Sequence, residues 1–153
     1  AEDGIGDFCL SRGLGVVYKR QISENIESLL LKQRYWDIFA VPRNSSVEEA
    51  CRIMDKNRIG ALLVYCSDTN DPQDLEGILT ERDVIELIAR KGIESLKVEV
   101  QEIMSKNIIS VTPQCSKIDA LNLMIENQIR HLAVMDQDKL VGILSMRDLI
   151  KQL

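Results

Sequence analysis

Along this chain the spacing of hydrophobic positions switches between helical and extended, and the same order of switches occurs twice. Ile26, Leu29 and Leu30, and later Val100, Ile103 and Met104, keep helical spacing. They predict a short amphipathic helix leading into each half. An extended apolar run follows each one, over residues 38–41 and 108–111. Pro42 and Pro113 close these runs, and the residue before a proline avoids the helical region. Val47, Ala50, Cys51, Ile53 and Met54 then predict a helix, as do Ile118, Ala120, Leu121, Leu123 and Met124. Ser46 with Glu49 and Ser116 with Asp119 have the spacing of helix N-caps. Asn57 and Asn127 close the two helices, as residues that tolerate a left-handed C-terminal turn. Strands follow at 61–65 and 132–135, then a polar loop at 67–74 or 136–139. A further strand and a final helix, 83–90 or from Asp148 onward, complete each half.

The last strand and helix meet in a motif that is nearly repeated. Residues 77–83 read Gly-Ile-Leu-Thr-Glu-Arg-Asp and residues 142–148 read Gly-Ile-Leu-Ser-Met-Arg-Asp, identical at five of seven positions. Thr80 and Ser145 both keep a hydroxyl three residues before a carboxylate. Just past a buried strand, that pair suits recognition of a sugar diol. The helix methionines Met54 and Met124 are 70 residues apart and the motif aspartates Asp83 and Asp148 are 65 apart. The longer loop of the first half absorbs the difference, where insertions cost least.

Each half therefore reads β-α-β-β-α. A half of roughly 60 residues buries too little surface to be comfortable alone. The expected fold class is α/β (α+β): two repeats packed sheet to sheet as one pseudo-two-fold module, with a cleft between the sheets. The expected divisions are a flexible N-terminal arm at 1–22, a first domain at 23–92 and a second at 93–153. Half of the eight glycines fall in the arm, at 4, 6, 13 and 15. Its Gly13-Leu14-Gly15 lacks the third glycine of a dinucleotide fingerprint, since Tyr18 stands there, and no strong strand precedes it.

Composition narrows the function classes. A net charge of −5 and 4 % aromatic residues argue against binding a nucleic-acid backbone or stacking its bases. The four cysteines, at 9, 51, 66 and 115, form no Cys-x-x-Cys pair, and there is one histidine, so no structural zinc site is expected. Reduced cysteines fit an intracellular protein, in the cytoplasm or in an organelle such as a mitochondrion or plastid. The sequon Asn44-Ser45-Ser46 is then accidental. No apolar run approaches the roughly 18 residues of a spanning helix, so no membrane partner is expected. The chain opens on Ala rather than Met, as a mature or trimmed form would.

With both halves aligned, residues 26–153 resemble a tandem pair of cystathionine β-synthase-type (CBS) domains, or Bateman module. Two stretches carry the resemblance, Met-Asp-Lys-Asn-Arg-Ile-Gly-Ala-Leu-Leu-Val at 54–64 and Met-Ile-Glu-Asn-Gln-Ile-Arg-His-Leu-Ala-Val at 124–134. The Gly-hydrophobic-x-Thr/Ser-x-x-Asp motifs ending at Asp83 and Asp148 complete it. The chain is similar to stand-alone CBS-pair proteins of prokaryotes and plant organelles. The resemblance implies an adenosine-containing ligand: AMP first, with ADP, ATP, NAD(H) or S-adenosylmethionine as further candidates. It also implies a homodimer, and a regulatory role toward an unidentified partner protein.

The resemblance also assigns site residues. Thr80 with Asp83, and Ser145 with Asp148, would bind ribose; the alternative for each aspartate is a helix cap. The family geometry places the base against Ile38, Phe39 and Ala40 with Gly60, Ala61 and Leu62. The mirror set is Ile108, Ile109 and Ser110 with Arg130, His131 and Leu132. Asp148 and Ser145 are expected to share a site with the first set, and Asp83 and Thr80 with the second. For the aliphatic members, ordinary core is the alternative. Arg130, His131, Arg82 and Arg147 are the cationic candidates for phosphate, followed by Arg58 and Lys56. Gly60-Ala61 stands where Arg130-His131 stands, so the two sites should differ in affinity. No metal cluster is predicted. No nucleophile–base pair or Walker loop is evident, and catalysis is not expected. Two other readings stay open: a dimerising interaction module without physiological nucleotide, and a regulatory fragment of a larger enzyme or transporter.

Overall fold

A computed structural model of the chain describes residues 25–32 and 39–151. The expected arm at 1–22, with Cys9 and the Gly13-Leu14-Gly15 stretch, lies outside the described residues, as does Ile38. The order of elements is α1 (Ile26–Lys32), β1 (Ala40–Pro42), α2 (Val47–Asn57), β2 (Ala61–Tyr65), β3 (Leu75–Thr80) and α3 (Glu81–Lys91). Two 3-10 helices follow, Ile93–Lys97 and Val100–Glu102. The second repeat gives β4 (Ser110–Val111), α4 (Lys117–Glu126), β5 (His131–Asp136), β6 (Lys139–Ser145) and α5 (Met146–Lys151). Both halves are thus β-α-β-β-α, as the hydrophobic pattern predicts, and the fold is mixed α and β.

Each half builds one three-stranded sheet, in the order β1-β2-β3 or β4-β5-β6. The outer pairs are parallel on one side and antiparallel on the other. The central strands β2 and β5 are paired on both edges and hold the buried run Leu62, Leu63, Val64 or Leu132, Ala133, Val134. Both sheets break register at the same place, between Val64 and Tyr65 and between Val134 and Met135. The bulge falls beside Gly77 in one sheet and Gly142 in the other.

The chain divides into two compact units, Ile38–Ile109 and a second made of Ala1–Asp37 with Ser110–Leu153. The boundary read from the repeat at 92/93 follows the duplicated sequence, whereas the spatial units exchange their leading segments. Val100 is fully buried in the core of the first sheet, with Val41, Val47, Ala50, Met54, Leu62, Val64, Leu79, Val84 and Leu87. Its backbone N–H donates to Ser45 O at 2.8 Å, and Gln101 N–H donates to Arg43 O at 3.1 Å. Burying a valine side chain is worth about 1.5–3 kcal/mol, enough to dock this segment on the half that precedes it. Conversely α1 docks on the second repeat, where Ile26 N–H donates to Cys115 O (3.0 Å) and Glu27 N–H to Pro113 O (2.9 Å). Helical periodicity shows which face of a segment is apolar, not which core it enters.

Caps form where the sequence places them, with one exception. Ser46 Oγ accepts from Glu49 N–H at 3.1 Å, and Ser116 Oγ accepts from Asp119 N–H at 3.0 Å. At the C-termini the left-handed residue is not the asparagine but the one after it, Arg58 (φ 56°) and Gln128 (φ 55°). Asn57 and Asn127 instead donate Nδ2–H back to the carbonyls of Ile53 and Leu123, at 2.9 and 2.8 Å. These are additional bonds at the helix ends, since Leu123 O also accepts from Asn127 N–H at 3.1 Å.

Candidate functional site

Strand direction gathers the candidate residues of each half at one sheet end. β1 and β2 are parallel and start there; β3 is antiparallel and ends there. Ala61 pairs with Thr80 and Leu62 with Leu79, while Leu63 N–H donates to Phe39 O at 3.1 Å. Phe39, Ala40, Gly60, Ala61 and the Thr80–Asp83 turn therefore converge. In the second sheet His131 pairs with Ser145, Leu132 with Leu144, and Ser110 with Ala133. Each hydroxyl–carboxylate pair lies at the same sheet end as the set from its own repeat. Ile108 and Ile109, both half-buried, group with the unit Ile38–Ile109, and exposed Ser110 with the second.

The final helices begin earlier than the sequence suggests, at Glu81 and Met146 instead of Asp83 and Asp148. The hydroxyl residue ends the strand and caps the helix, which puts the aspartate in its first turn. Asp83 Oδ2 accepts from both Thr80 N–H and Thr80 Oγ1–H at 2.8 Å, closing a capping box. Asp148 repeats the arrangement: its Oδ2 accepts from Ser145 N–H at 3.3 Å and from the Ser145 hydroxyl, while Asp148 N–H donates to Ser145 Oγ at 3.2 Å. Both aspartates are half-buried. Among the described residues these bonds engage Oδ2 alone, so Oδ1 of each carboxylate keeps its accepting capacity. Cap and diol acceptor are therefore compatible roles for one side chain.

The remaining candidates divide by burial and by partner. Leu62 and Leu132 are fully buried and Ala61 nearly so; only their backbone stands near the sheet end. Arg82 lies 3.4 Å from Glu86, which also meets Arg90 at 3.7 Å. Arg58 lies 3.7 Å from Asp55, and Lys56 is exposed. Arg130 and Arg147 are exposed and form no ion pair among the described residues. His131 is half-buried at the start of β5.

Gly60 marks a close approach, but its neighbour is protein. A Cβ added there would lie 3.0 Å from Oε2 and 3.3 Å from Oε1 of Glu81. Glu81 is the residue that sequence reasoning missed. Only the mismatch Glu81/Met146 inside an otherwise matching motif could have signalled it.

Charges elsewhere serve the scaffold. Arg43 binds Asp68 at 2.7 Å and Glu76 at 3.0 Å, tying the loop after β2 to the end of β1. Asp68 first, then Glu76, push the Arg43 guanidinium above its usual range. Burial raises the thiols of Cys51 and Cys115, helped by Glu48 and Asp119 respectively, which keeps both in the unreactive protonated form. Among the described residues no cluster of three or more His, Cys, Asp or Glu could hold a metal ion, and no helix is long and apolar enough to cross a membrane.

Comparison with known proteins agrees with this architecture. The model of the CBS domain matches residues 34–90 and 100–153. A CBS domain-containing protein of Bacillus subtilis is 34 % identical over 112 residues, covering 73 % of this chain and 76 % of that protein. The crystal structure of a CBS-domain containing protein from Agrobacterium tumefaciens aligns with a TM-score of 0.78 at 27 % identity, over 86 % of this chain and 94 % of that one. A CBS domain protein from Pyrobaculum aerophilum complexed with AMP aligns with a TM-score of 0.70 at 26 % identity, over 81 % and 88 % of the two chains. Since each sheet, with its Thr/Ser-x-x-Asp turn, lies within one of the two matched segments, the chain belongs to the CBS domain family as a tandem pair.

Proposed function

We propose that this chain is a regulatory sensor that binds adenosine-containing ligands, AMP first, then ADP, ATP, NAD(H) or S-adenosylmethionine, and signals to a partner protein without catalysis. The carrying observation is the divided use of Asp83 and Asp148. Oδ2 is committed to the Thr80 or Ser145 cap, and Oδ1 remains to accept from ribose hydroxyls. An ionised carboxylate offers charge-assisted bonds to both hydroxyls of a diol. Exposed Arg130, with Arg147, supplies positive charge for phosphate at the second sheet end. The AMP carried by the Pyrobaculum relative supports the ligand class. Signalling requires that ligand favour one conformation or assembly over another, by no more than its differential affinity for the two.

Calorimetry of nucleotide-stripped protein against these five ligand types tests the reading. Saturable binding that weakens in Asp83→Asn or Asp148→Asn supports it. Absence of binding to all of them at millimolar concentration rejects it.

One observation favours a second reading, a dimerising interaction module. Ile85 and Ile150, each two residues past its motif aspartate, are 65 % and 56 % exposed. Equivalent isoleucines left in solvent on both repeats suit burial against a second copy of the chain. A monomeric protein at micromolar concentration by analytical ultracentrifugation rejects this reading.

A further inference from the structure

The two sheet ends share a backbone and differ in charge. Glu81 N–H donates to Gly60 O at 3.1 Å, and Met146 N–H donates to Arg130 O at 2.8 Å. This shared contact makes Gly60 equivalent to Arg130 and Glu81 equivalent to Met146. The side chains at these paired positions have changed together. In the first repeat the Glu81 carboxylate fills the space that a side chain on residue 60 would take, with both oxygens within 3.3 Å of that missing Cβ. In the second repeat residue 130 carries a guanidinium, and residue 146 carries no charge.

Around the first motif two carboxylates, Glu81 and Asp83, stand with two guanidinium groups that each already face an acid, Arg82 with Glu86 at 3.4 Å and Arg58 with Asp55 at 3.7 Å. Around the second, two guanidinium groups, Arg130 and Arg147, stand with the single carboxylate of Asp148. A phosphate on a ribose held at either aspartate would lie within a nucleotide's length of these groups. It would be repelled at the first end and attracted at the second. A like charge built against one ligand is a standard route to specificity.

We propose, resting on the ribose assignment above, that the second repeat takes a phosphorylated adenosine ligand, whereas Glu81 restricts the first to an adenosine derivative without phosphate. Glu81 is the specificity-determining residue, and Gly60 is what lets it occupy that position. The two repeats then report on different ligands, and one chain compares them.

The test is calorimetry of the full chain with adenosine and with AMP. Asp148→Asn leaves the first site and should prefer adenosine by about fivefold or more; Asp83→Asn leaves the second and should prefer AMP by a similar factor. Glu81→Gln added to Asp148→Asn should move the AMP-to-adenosine affinity ratio toward AMP by about fivefold or more, less so as salt screens the charge. Glu81 is exposed, so its substitution leaves the fold intact. In the otherwise unaltered chain, Glu81→Gln should raise the AMP stoichiometry from one to two. A ratio and a stoichiometry that do not move with Glu81→Gln overturn the proposal, as does a first site that binds neither ligand or prefers AMP. Failure of the ribose assignment looks different: Asp83→Asn and Asp148→Asn would then both leave adenosine and AMP binding as in the parent chain.

Discussion

Asp148 does two jobs with two oxygens, and substitutions can separate them. Asp148→Ala removes both. The carboxylate half of the capping box on α5 is lost while Ser145 Oγ still accepts from the N–H of residue 148, so the cost lies toward the lower end of the about 0.5–2 kcal/mol of a lost cap. The acceptor for the sugar is lost as well, and a hydrogen bond to a charged group is worth about 1.5–3 kcal/mol. At about 1.4 kcal/mol per decade, ligand affinity should fall between about tenfold and a hundredfold. Asp148→Asn keeps one carbonyl oxygen, which can accept from Ser145 N–H and its hydroxyl as Oδ2 does now. It then has no second oxygen and no charge for the ribose. Asn should therefore restore most of the stability that Ala loses while recovering little of the affinity. Calorimetry with AMP and urea melts followed by circular dichroism read the two effects on the same samples. Parallel recovery of stability and affinity in Asp148→Asn would mean that the carboxylate acts on ligand only by holding the helix start. Affinity unchanged in Asp148→Asn and in Asp83→Asn would falsify the ribose assignment.

Three further outcomes follow from the scaffold. In Gly77→Ala the new Cβ would lie 2.6 Å from Met104 Sδ and 2.8 Å from Ser105 O, while Ile78 and Ser105 exchange two backbone bonds of 2.9 Å beside it. Overpacking of this kind costs about 1–3 kcal/mol. Met104→Ala should relieve the contacts with Met104 Sδ and Cγ but not that with Ser105 O, so a double-mutant cycle in urea melts should show partial coupling, and a single-variant loss below about 0.5 kcal/mol refutes the close approach. Gly92→Ala meets nothing within 4 Å but must hold φ +79° and ψ 172°, a region open almost only to glycine, and should cost about 1–3 kcal/mol through backbone strain alone. For Cys51 and Cys115 the folded chain binds the thiol proton more tightly than the unfolded chain. Stability from them is complete below the unfolded thiol range, near pH 8.5, and falls as pH rises through the folded values. Between pH 7.5 and 10 the urea midpoint should drop more in the parent chain than in Cys51→Ala/Cys115→Ala, and equal drops refute the assignment.

Much of the fold is legible in the sequence because each element carries its own signal. Period-3.6 apolar spacing at Val47, Ala50 and Met54 marks a helix face that is in fact buried, and the serine caps fall where their spacing predicts. Less legible is anything that depends on which core a segment joins. Residues 100–104 read correctly as apolar on one face, yet Val100 enters the core of the preceding half. Contact between distant segments leaves no period in the sequence. The same holds at the candidate site. The hydroxyl and carboxylate are visible in the sequence as a duplicated motif. Within its own repeat, strand order brings Asp148 to the sheet end of Arg130, His131 and Leu132, because β6 runs antiparallel to β5 and ends where β5 begins. Glu81 was invisible because its meaning lies in a contact with Gly60, 21 residues earlier.

The capping box changes what a repeated motif can prove. Thr80-x-x-Asp83 and Ser145-x-x-Asp148 would both be retained by a duplicated fold for the stability of the turn alone, since each side chain satisfies groups at a helix start. Their presence in both halves is therefore weak evidence that both halves bind ligand. Stronger evidence lies in positions that the turn does not require. The backbone contact of residue 81 with residue 60, and of 146 with 130, is made by N–H and C=O and places no demand on the side chains. At those positions one repeat carries glycine and glutamate, the other arginine and methionine. A carboxylate in the first turn of α3 also suits the helix dipole, but that accounts neither for Gly60 nor for Arg130. Selection of the ligand by charge at each sheet end, as proposed above, accounts for both, and Glu81→Gln tests it without touching the cap.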